Sequence, residues 1–308
     1  GSAAIPLQPL SEITSELPDD TRITIDVNEN NNVKIITEIG SYDLMGKPAD
    51  EFPATPELNK RLDAGIDANI LNEMISTVSF AVSRDDLKPA LTGVYFKFEK
   101  EMLTAVATDG HRLAKYVRSD FKAGEFQGEV IIPRKFLNII TSYISKDESI
   151  QLWLGDNIFT ATIGTDTIYT RIIDERFPDY QSVIPTDNEK EIKASCADLL
   201  SAVKRVSIFS NKATHQIAIR AAKGSATITT EDPEKASKAQ ETIDIEYDGE
   251  SIDVGYNAAY LKDILAHMKS DKIVVKLNTP ISAGLFFPMT LSNDAEITML
   301  LMPIRLND

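Results

Sequence analysis

Ala107-Thr108-Asp109-Gly110-His111-Arg112-Leu113-Ala114 is the stretch on which the reading of this chain turns. A strand-like run, Met102–Thr108, precedes it, and a second strand is expected to resume at Leu113. Asp-Gly between two such runs is a strong hairpin signal, with glycine supplying the positive φ. His111 and Arg112 are then expected to project from the turn. An Asp, a His and an Arg this close together also fit acid–base chemistry. Catalysis, however, needs a nucleophile or a second titrating partner in a pocket, and the neighbouring sequence supplies neither. The turn is therefore the favoured reading.

The chain around this turn repeats. Phe52-Pro53 and Phe177-Pro178 lie 125 residues apart, and Met302-Pro303 lies a further 125 on. Before each pair comes an apolar stripe at helical spacing and then three strand-like stretches. The stripes are Leu10, Ile13 and Leu17; Phe136, Leu137, Ile140 and Tyr143; and Tyr260, Leu261, Ile264 and Leu265. Strands are expected at Arg22–Val27, Asn32–Thr37 and Ser41–Leu44, at Ser149–Leu154, Asn157–Ile163 and Thr167–Ile173, and at Lys272–Leu277, Ser282–Phe287 and Glu296–Met302. The two later blocks have matching front halves. Helices are expected over Asn69–Val82 and Ser195–Phe209, with strands at Thr92–Phe98, Met102–Thr108, Gln216–Ala222 and Ala226–Thr230. The expected fold class is α+β, built from a repeated module of helix, strands, helix, strands. The expected domains are 1–58, 59–188 and 189–308, with boundaries in polar stretches. The first is expected to be a back half only, its front half missing from the chain.

Composition bounds the function. Of 308 residues, 43% are hydrophobic and 26% charged, the balance of a globular protein. The longest apolar runs, such as Ala283–Leu291, are too short and too broken to span a membrane. One cysteine, Cys196, allows no intrachain disulfide and fits a reducing cytoplasm. Three isolated histidines offer no metal-ligand pattern, and no phosphate-cradling glycine motif occurs. No cofactor and no catalytic or metal residues are expected. The net charge of -15 argues against coating nucleic acid, but not against a protein that segregates its charges.

The eight-residue turn motif resembles that of the bacterial sliding clamps, the beta subunit of DNA polymerase III. Ile132-Pro133-Arg134-Lys135, Arg176-Phe177-Pro178-Asp179-Tyr180, Asn257 with Tyr260, and Met302-Pro303-Ile304-Arg305-Leu306 agree with that family in order and spacing. The resemblance runs from Ile5 to Leu306. It implies repeated clamp domains, with helices lining a pore and antiparallel sheets outside, closed into a head-to-tail homodimeric ring. It implies a non-catalytic, cytoplasmic and nucleoid-associated processivity factor that encircles double-stranded DNA without reading its sequence. Its partners would be the polymerase III alpha subunit, other proteins carrying a clamp-binding motif, and the clamp loader.

Three sets of residues follow from the resemblance. Lys88, Arg134, Lys135, Lys204, Arg205, Lys212, Lys262 and Lys269 would face DNA. In the first module Gln8 and Pro9 stand where the later module has Arg134 and Lys135, which weakens that part of the pore. A peptide-binding groove between the second and third domains would use Leu91, Thr108, Gly110, His111, Arg112, Leu113, Pro178, Val183, Asn257, Tyr260, Ile281, Leu300, Met302, Pro303, Ile304 and Arg305. Residues 307 and 308, beyond Leu306, bear on whether that groove is open. Tyr42, Leu44, Ile208 and Phe209 would centre the dimer interface, with Lys235 and Lys238 placed to meet Glu12, Glu16 or Asp43. The alternative function is a peptide-binding scaffold that does not encircle DNA.

Overall fold

A computed structural model describes residues 1–54, 56, 62–122, 127–144, 149–291 and 294–306. The first expected boundary, near 58, and residues 307–308 lie outside these. The chain forms two compact units, 1–57 and 58–308.

The first unit contains β1 (Ala3–Ala4), α1 (Leu7–Glu16), β2 (Thr24–Val27), β3 (Asn32–Ile36), β4 (Ser41–Met45) and β5 (Lys47–Pro48). Strands β2, β3 and β4 form an antiparallel sheet in that order, and β1 pairs with β5. The cross-strand register puts Ile25, Val27, Val33, Ile35, Tyr42 and Leu44 on one face, and Asp26, Lys34 and Asp43 on the other. This is the period-two alternation of a strand with one apolar face. Val33 and Ile35 are fully buried, while Ile25, Met45 and Phe52 remain exposed.

In the second unit two modules of ten elements each follow one another. The first has β6 (Leu62–Asp67), α2 (Ala68–Val78), β7 (Gly93–Glu99), β8 (Met102–Thr108), β9 (Arg112–Arg118), β10 (Gly128–Pro133), α3 (Arg134–Tyr143), β11 (Ser149–Leu154), β12 (Ile158–Ile163) and β13 (Asp166–Arg171). The second repeats that order with β14 (Lys190–Ser195), α4 (Cys196–Val206), β15 (Gln216–Ala222), β16 (Ser225–Asp232), β17 (Ser237–Glu246), β18 (Ile252–Asn257), α5 (Ala258–His267), β19 (Lys272–Leu277), β20 (Gly284–Pro288) and β21 (Ala295–Leu301). The elements α1, β2, β3 and β4 repeat the back half of this order once more. Strands β6, β10, β14 and β18 had not been expected. β6 and β14 carry charged residues that blur their alternation.

Two expected helices stop early. Helices α2 and α4 end at Val78 and Val206, and their last turns tighten into 3-10 turns at Ser79–Ala81 and Ser207–Phe209. The apolar stripe continues through both turns, so periodicity alone cannot place the change to i→i+3 bonding.

Strand order in the large sheet is β10-β7-β8-β9-β21-β20-β19-β14-β17-β16-β15-β18, and β13-β12-β11-β6 form a second sheet. The large sheet crosses from one module to the other through β9 and β21, paired antiparallel from Arg112↔Leu301 to Arg118↔Ala295. Helices α2 and α3 pack together, as do α4 and α5. Lys269 at the end of α5 donates to Ser76 of α2 (3.0 Å) across the two pairs. The buried stripes of all four helices join one apolar core with one face of the sheets. A smaller cluster of Tyr95, Val106, Leu113, Leu285 and Leu300 lies on the other face at the junction. Strand β8 is therefore buried almost throughout rather than alternating. Among the described residues, no helix is long and apolar enough to cross a membrane.

Candidate functional site

A groove of about 680 Å³ opens over the β9–β21 junction. Its wall and floor come from Leu91, the turn Thr108–Leu113, Pro178 and Val183, Ile281, and Leu300 with Met302. Leu113 and Leu300 are cross-strand partners and are buried. Val183, Ile281 and Met302 are exposed along the rim. The backbone N–H of Met302 donates to the carbonyl of His111 (2.9 Å), tying the last strand's end to the turn. A preformed apolar cleft with few polar groups is what a linear ligand with hydrophobic anchors requires.

The 178–185 segment is held from below. Phe177 stacks on Tyr95 at 4.8 Å and Tyr180 tilts against it at 5.9 Å. The Tyr95 hydroxyl donates to Glu129 (2.6 Å). Burial, and then the bond to Glu129, push the Tyr95 hydroxyl far above the ordinary phenol range, so it stays a neutral donor. Tyr180, Asp179, Pro185, Ser282 and Ala283 also line the groove and had not been assigned to it, and Ser182 lies on its rim. The Phe177-Pro178-Asp179-Tyr180 motif carried the signal for two of them.

Arg112 does not project from the turn; its side chain is 9% exposed. Its Nε donates to Asp109 (3.0 Å), Nη1 to Asp263 (2.6 Å) and Nη2 to the carbonyl of Phe80 (2.9 Å). The guanidinium lies between the rings of Phe80 (5.1 Å) and Tyr260 (4.7 Å). A buried cation is tolerable only with such pairing, and the partners needed here fold in from distant elements. His111, in contrast, is exposed and its ring stacks on Tyr260 at 5.7 Å. Gly110 has φ of +90°, as the turn demands.

Five residues assigned to the groove do not line this cavity. Tyr260 lines a polar recess beside it, shared with His111, Arg112, Lys88 and Asp263. Asn257 is the N-cap of α5, accepting from the N–H groups of Ala259 (2.9 Å) and Tyr260 (3.3 Å). Asn257→Ala is expected to lower stability by about 1 kcal/mol, while Asn257→Ser stays near the starting value, as measured by urea denaturation. Pro303, Ile304 and Arg305 do not line the cavity, and the Ile304 N–H donates to the carbonyl of Gly255 (2.8 Å).

Known proteins share this fold. The family model of the DNA polymerase III beta subunit matches the chain in two parts, its central domain over residues 65–179 and its C-terminal domain over 181–305. The chain belongs to the DNA polymerase III beta-subunit family, the beta sliding clamps. A beta sliding clamp of Pseudomonas putida is 30% identical over 99% of this chain and 82% of its own length. That of Vibrio cholerae is 27% identical over the same shares. A sliding clamp from Pseudomonas aeruginosa, solved with a ligand, superposes with a TM-score of 0.91 at 28% identity, covering 99% of this chain and 82% of its own. Another structure of that organism's clamp, bound to griselimycin, gives 0.90 at 28% identity and the same coverage. This chain has the sliding-clamp fold, with mixed helices and antiparallel sheets.

Of the basic residues assigned to the DNA side, Arg134, Lys135, Lys204, Arg205 and Lys262 lie on helices α3, α4 and α5 and Lys269 just after α5, whereas Lys88 and Lys212 lie in the loops that follow α2 and α4. Lys88, Lys135, Lys204 and Lys212 are exposed. Arg134 is half-buried at the start of α3, and its Nε has no partner. Lys262 donates to Ser207 (3.4 Å), and Lys269 bridges to Ser76. Arg205 is committed elsewhere: it forms a bidentate pair with Glu241 of β17 at 2.8 and 2.7 Å. That bond holds the Glu241 carboxyl below its usual range. Lys235 and Lys238 lie near Asp232 and Glu231 of their own module, each at 3.8 Å. Ile208 and Phe209 are exposed, and Tyr42 and Leu44 are half-buried. Among the described residues, no cluster of His, Cys, Asp or Glu fits a metal ion.

Proposed function

We propose that this chain is a DNA sliding clamp. Two copies close head to tail around duplex DNA, and the groove over the β9–β21 junction holds peptides of the polymerase and other DNA-processing proteins. It works as a non-catalytic processivity subunit in the cytoplasm, at the nucleoid. Its domains are 1–58, 59–188 and 189–308.

One observation carries the ring: the repeat supplies a second junction with both sides open. Strand β17 stands in its module where β9 stands in the preceding one, and from Ser237 to Asp244 it pairs only with β16. Strand β4 stands where β21 stands, and it pairs only with β3. If β9 meets β21 within the chain, β17 can meet β4 of a second copy in the same way, satisfying two rows of backbone groups at once. Ile208 and Phe209 occupy the 3-10 turn equivalent to Ser79–Ala81, whose Phe80 is covered at the first junction by His267 of α5 (ring centroids 4.4 Å). Tyr42 and Leu44 sit on β4 itself.

Duplex contact then comes from the lysines on the helices, attracting phosphates without reading bases. Retention on nicked circular DNA that survives high salt, and loss of the protein after linearisation, is the expected result. Equal retention on both forms would favour the scaffold that never encircles DNA. Phe209→Glu together with Ile208→Glu is expected to give monomer in sedimentation at micromolar concentration, while the parent chain is dimeric. A griselimycin titration locates the groove: Leu113→Glu is expected to lower its affinity at least 10-fold.

A further inference from the structure

We propose that Asp263, on α5 and outside the groove, is a positioning residue that fixes the groove's shape through Arg112. The proposal rests on the groove reading above and names what holds that site in its binding form.

The turn that forms one groove wall is organised around the Arg112 guanidinium. Asp109, which that guanidinium holds, accepts from the backbone N–H of His111 (2.9 Å) and of Arg112 (3.0 Å). The Thr108 hydroxyl donates to the carbonyl of Arg112 (2.7 Å) and accepts from the N–H of Gly110 (3.1 Å). The guanidinium thus fixes Asp109, which holds the backbone of His111 and Arg112, and the Thr108 hydroxyl closes the same turn through a separate pair of bonds. Within the turn, Asp109 alone leaves the cation free to swing about the Nε bond. Asp263 adds the Nη1 contact from 151 residues away, and with the Phe80 carbonyl it fixes the guanidinium plane. A planar fork held on three sides keeps one orientation, as a single ion pair does not.

The repeat argues that this is built for the site and not for the fold. In the equivalent hairpin between β16 and β17, Pro233, Glu234, Lys235 and Ala236 occupy the places of Asp109, Gly110, His111 and Arg112. That hairpin closes with no arginine, and among the described residues no ion pair reaches it from another helix. A module of this kind therefore folds without an arginine cluster of this type, which leaves the Arg112 cluster to serve the groove beside it. Asp263 follows Lys262, so the helix that carries a DNA-side lysine also carries the anchor of the peptide groove.

The test compares Asp263→Asn and Asp263→Glu in the whole chain. Griselimycin affinity and the amide resonances of Thr108, Gly110 and His111 are the readouts, and urea denaturation is the control on folding. Asp263→Asn is expected to weaken griselimycin by about 5- to 10-fold and to shift all three amides, and Asp263→Glu to recover most of the affinity. Retained affinity with unmoved amides in a folded Asp263→Asn protein would overturn the proposal. So would an affinity loss that Asp263→Glu does not recover, because that is the mark of a merely structural role. If Leu113→Glu leaves griselimycin binding intact, the groove reading itself fails, and the proposal falls with it for a different and recognisable reason.

Discussion

Arg112→Met is expected to cost about 3 kcal/mol of folding stability. Methionine keeps most of the aliphatic length between Phe80 and Tyr260, so the loss of packing is small. The cost lies in the charge. Asp109 is 14% exposed at its side chain and would lose its ion pair, while Asp263, 50% exposed, would lose its partner at a smaller, solvent-screened cost. The Phe80 carbonyl would lose its donor as well. Removing one partner of a buried ion pair leaves the other uncompensated, which costs far more than the pair contributes net. The two stacked rings lose a desolvated cation, a further 1 kcal/mol or so. Arg112→Lys is expected to fall between the two, because an ammonium keeps the charge but cannot serve three acceptors in one plane. Urea denaturation monitored by circular dichroism measures both, and a loss below about 1 kcal/mol for Arg112→Met would show that the cluster is not a stabilising centre.

That cluster also marks where sequence reading stopped. The repeat was legible because apolar side chains must recur at fixed intervals to fill equivalent cores, and Pro53, Pro178 and Pro303 kept the count. The turn at Asp109-Gly110 was legible because a positive φ has a local chemical signature. The inward path of Arg112 was not, since Asp263 lies 151 positions on and Phe80 contributes only a carbonyl. Nothing in the residues 107–114 distinguishes an arginine aimed at water from one aimed at a distant carboxylate. Asn257 raised the opposite difficulty. Its capping role has a local signature, an Asn just before an apolar helix, which its assignment to the groove did not use. Of the groove, the turn, Pro178 and Met302 lie in motifs, and Leu91, Val183, Ile281 and Leu300 came with the family resemblance. Ser282 and Ala283 were not, because they line it only through the way β20 is brought beside the junction.

Gly255→Val supplies the second large effect, and here two local rules point in opposite directions. Gly255 lies inside β18 without a positive φ, so valine suits its backbone and its strand propensity far better than glycine does. On propensity alone the change would stabilise by up to about 1 kcal/mol. Sterics decide otherwise. A Cβ at Gly255 would run into the carbonyl oxygen of Ile304 and come within 2.8 Å of the Leu306 side chain. The contact is with backbone, which cannot swing aside as a flexible side chain can. The Ile304 N–H is bonded to the Gly255 carbonyl at 2.8 Å, so the segment is pinned against the glycine it would have to leave. Overpacking of this kind costs about 1–3 kcal/mol, and release of the bridge adds the loss of a backbone hydrogen bond. The net expectation is a destabilisation of about 2 kcal/mol, with residues 303–306 lifted from β18. Met302 would then be tethered only by its bond to His111, so the groove should lose affinity for griselimycin although Gly255 lies outside it. Amide exchange at Ile304 separates the causes: faster exchange with weaker binding places the effect in the tail, whereas unchanged exchange would refute the steric account.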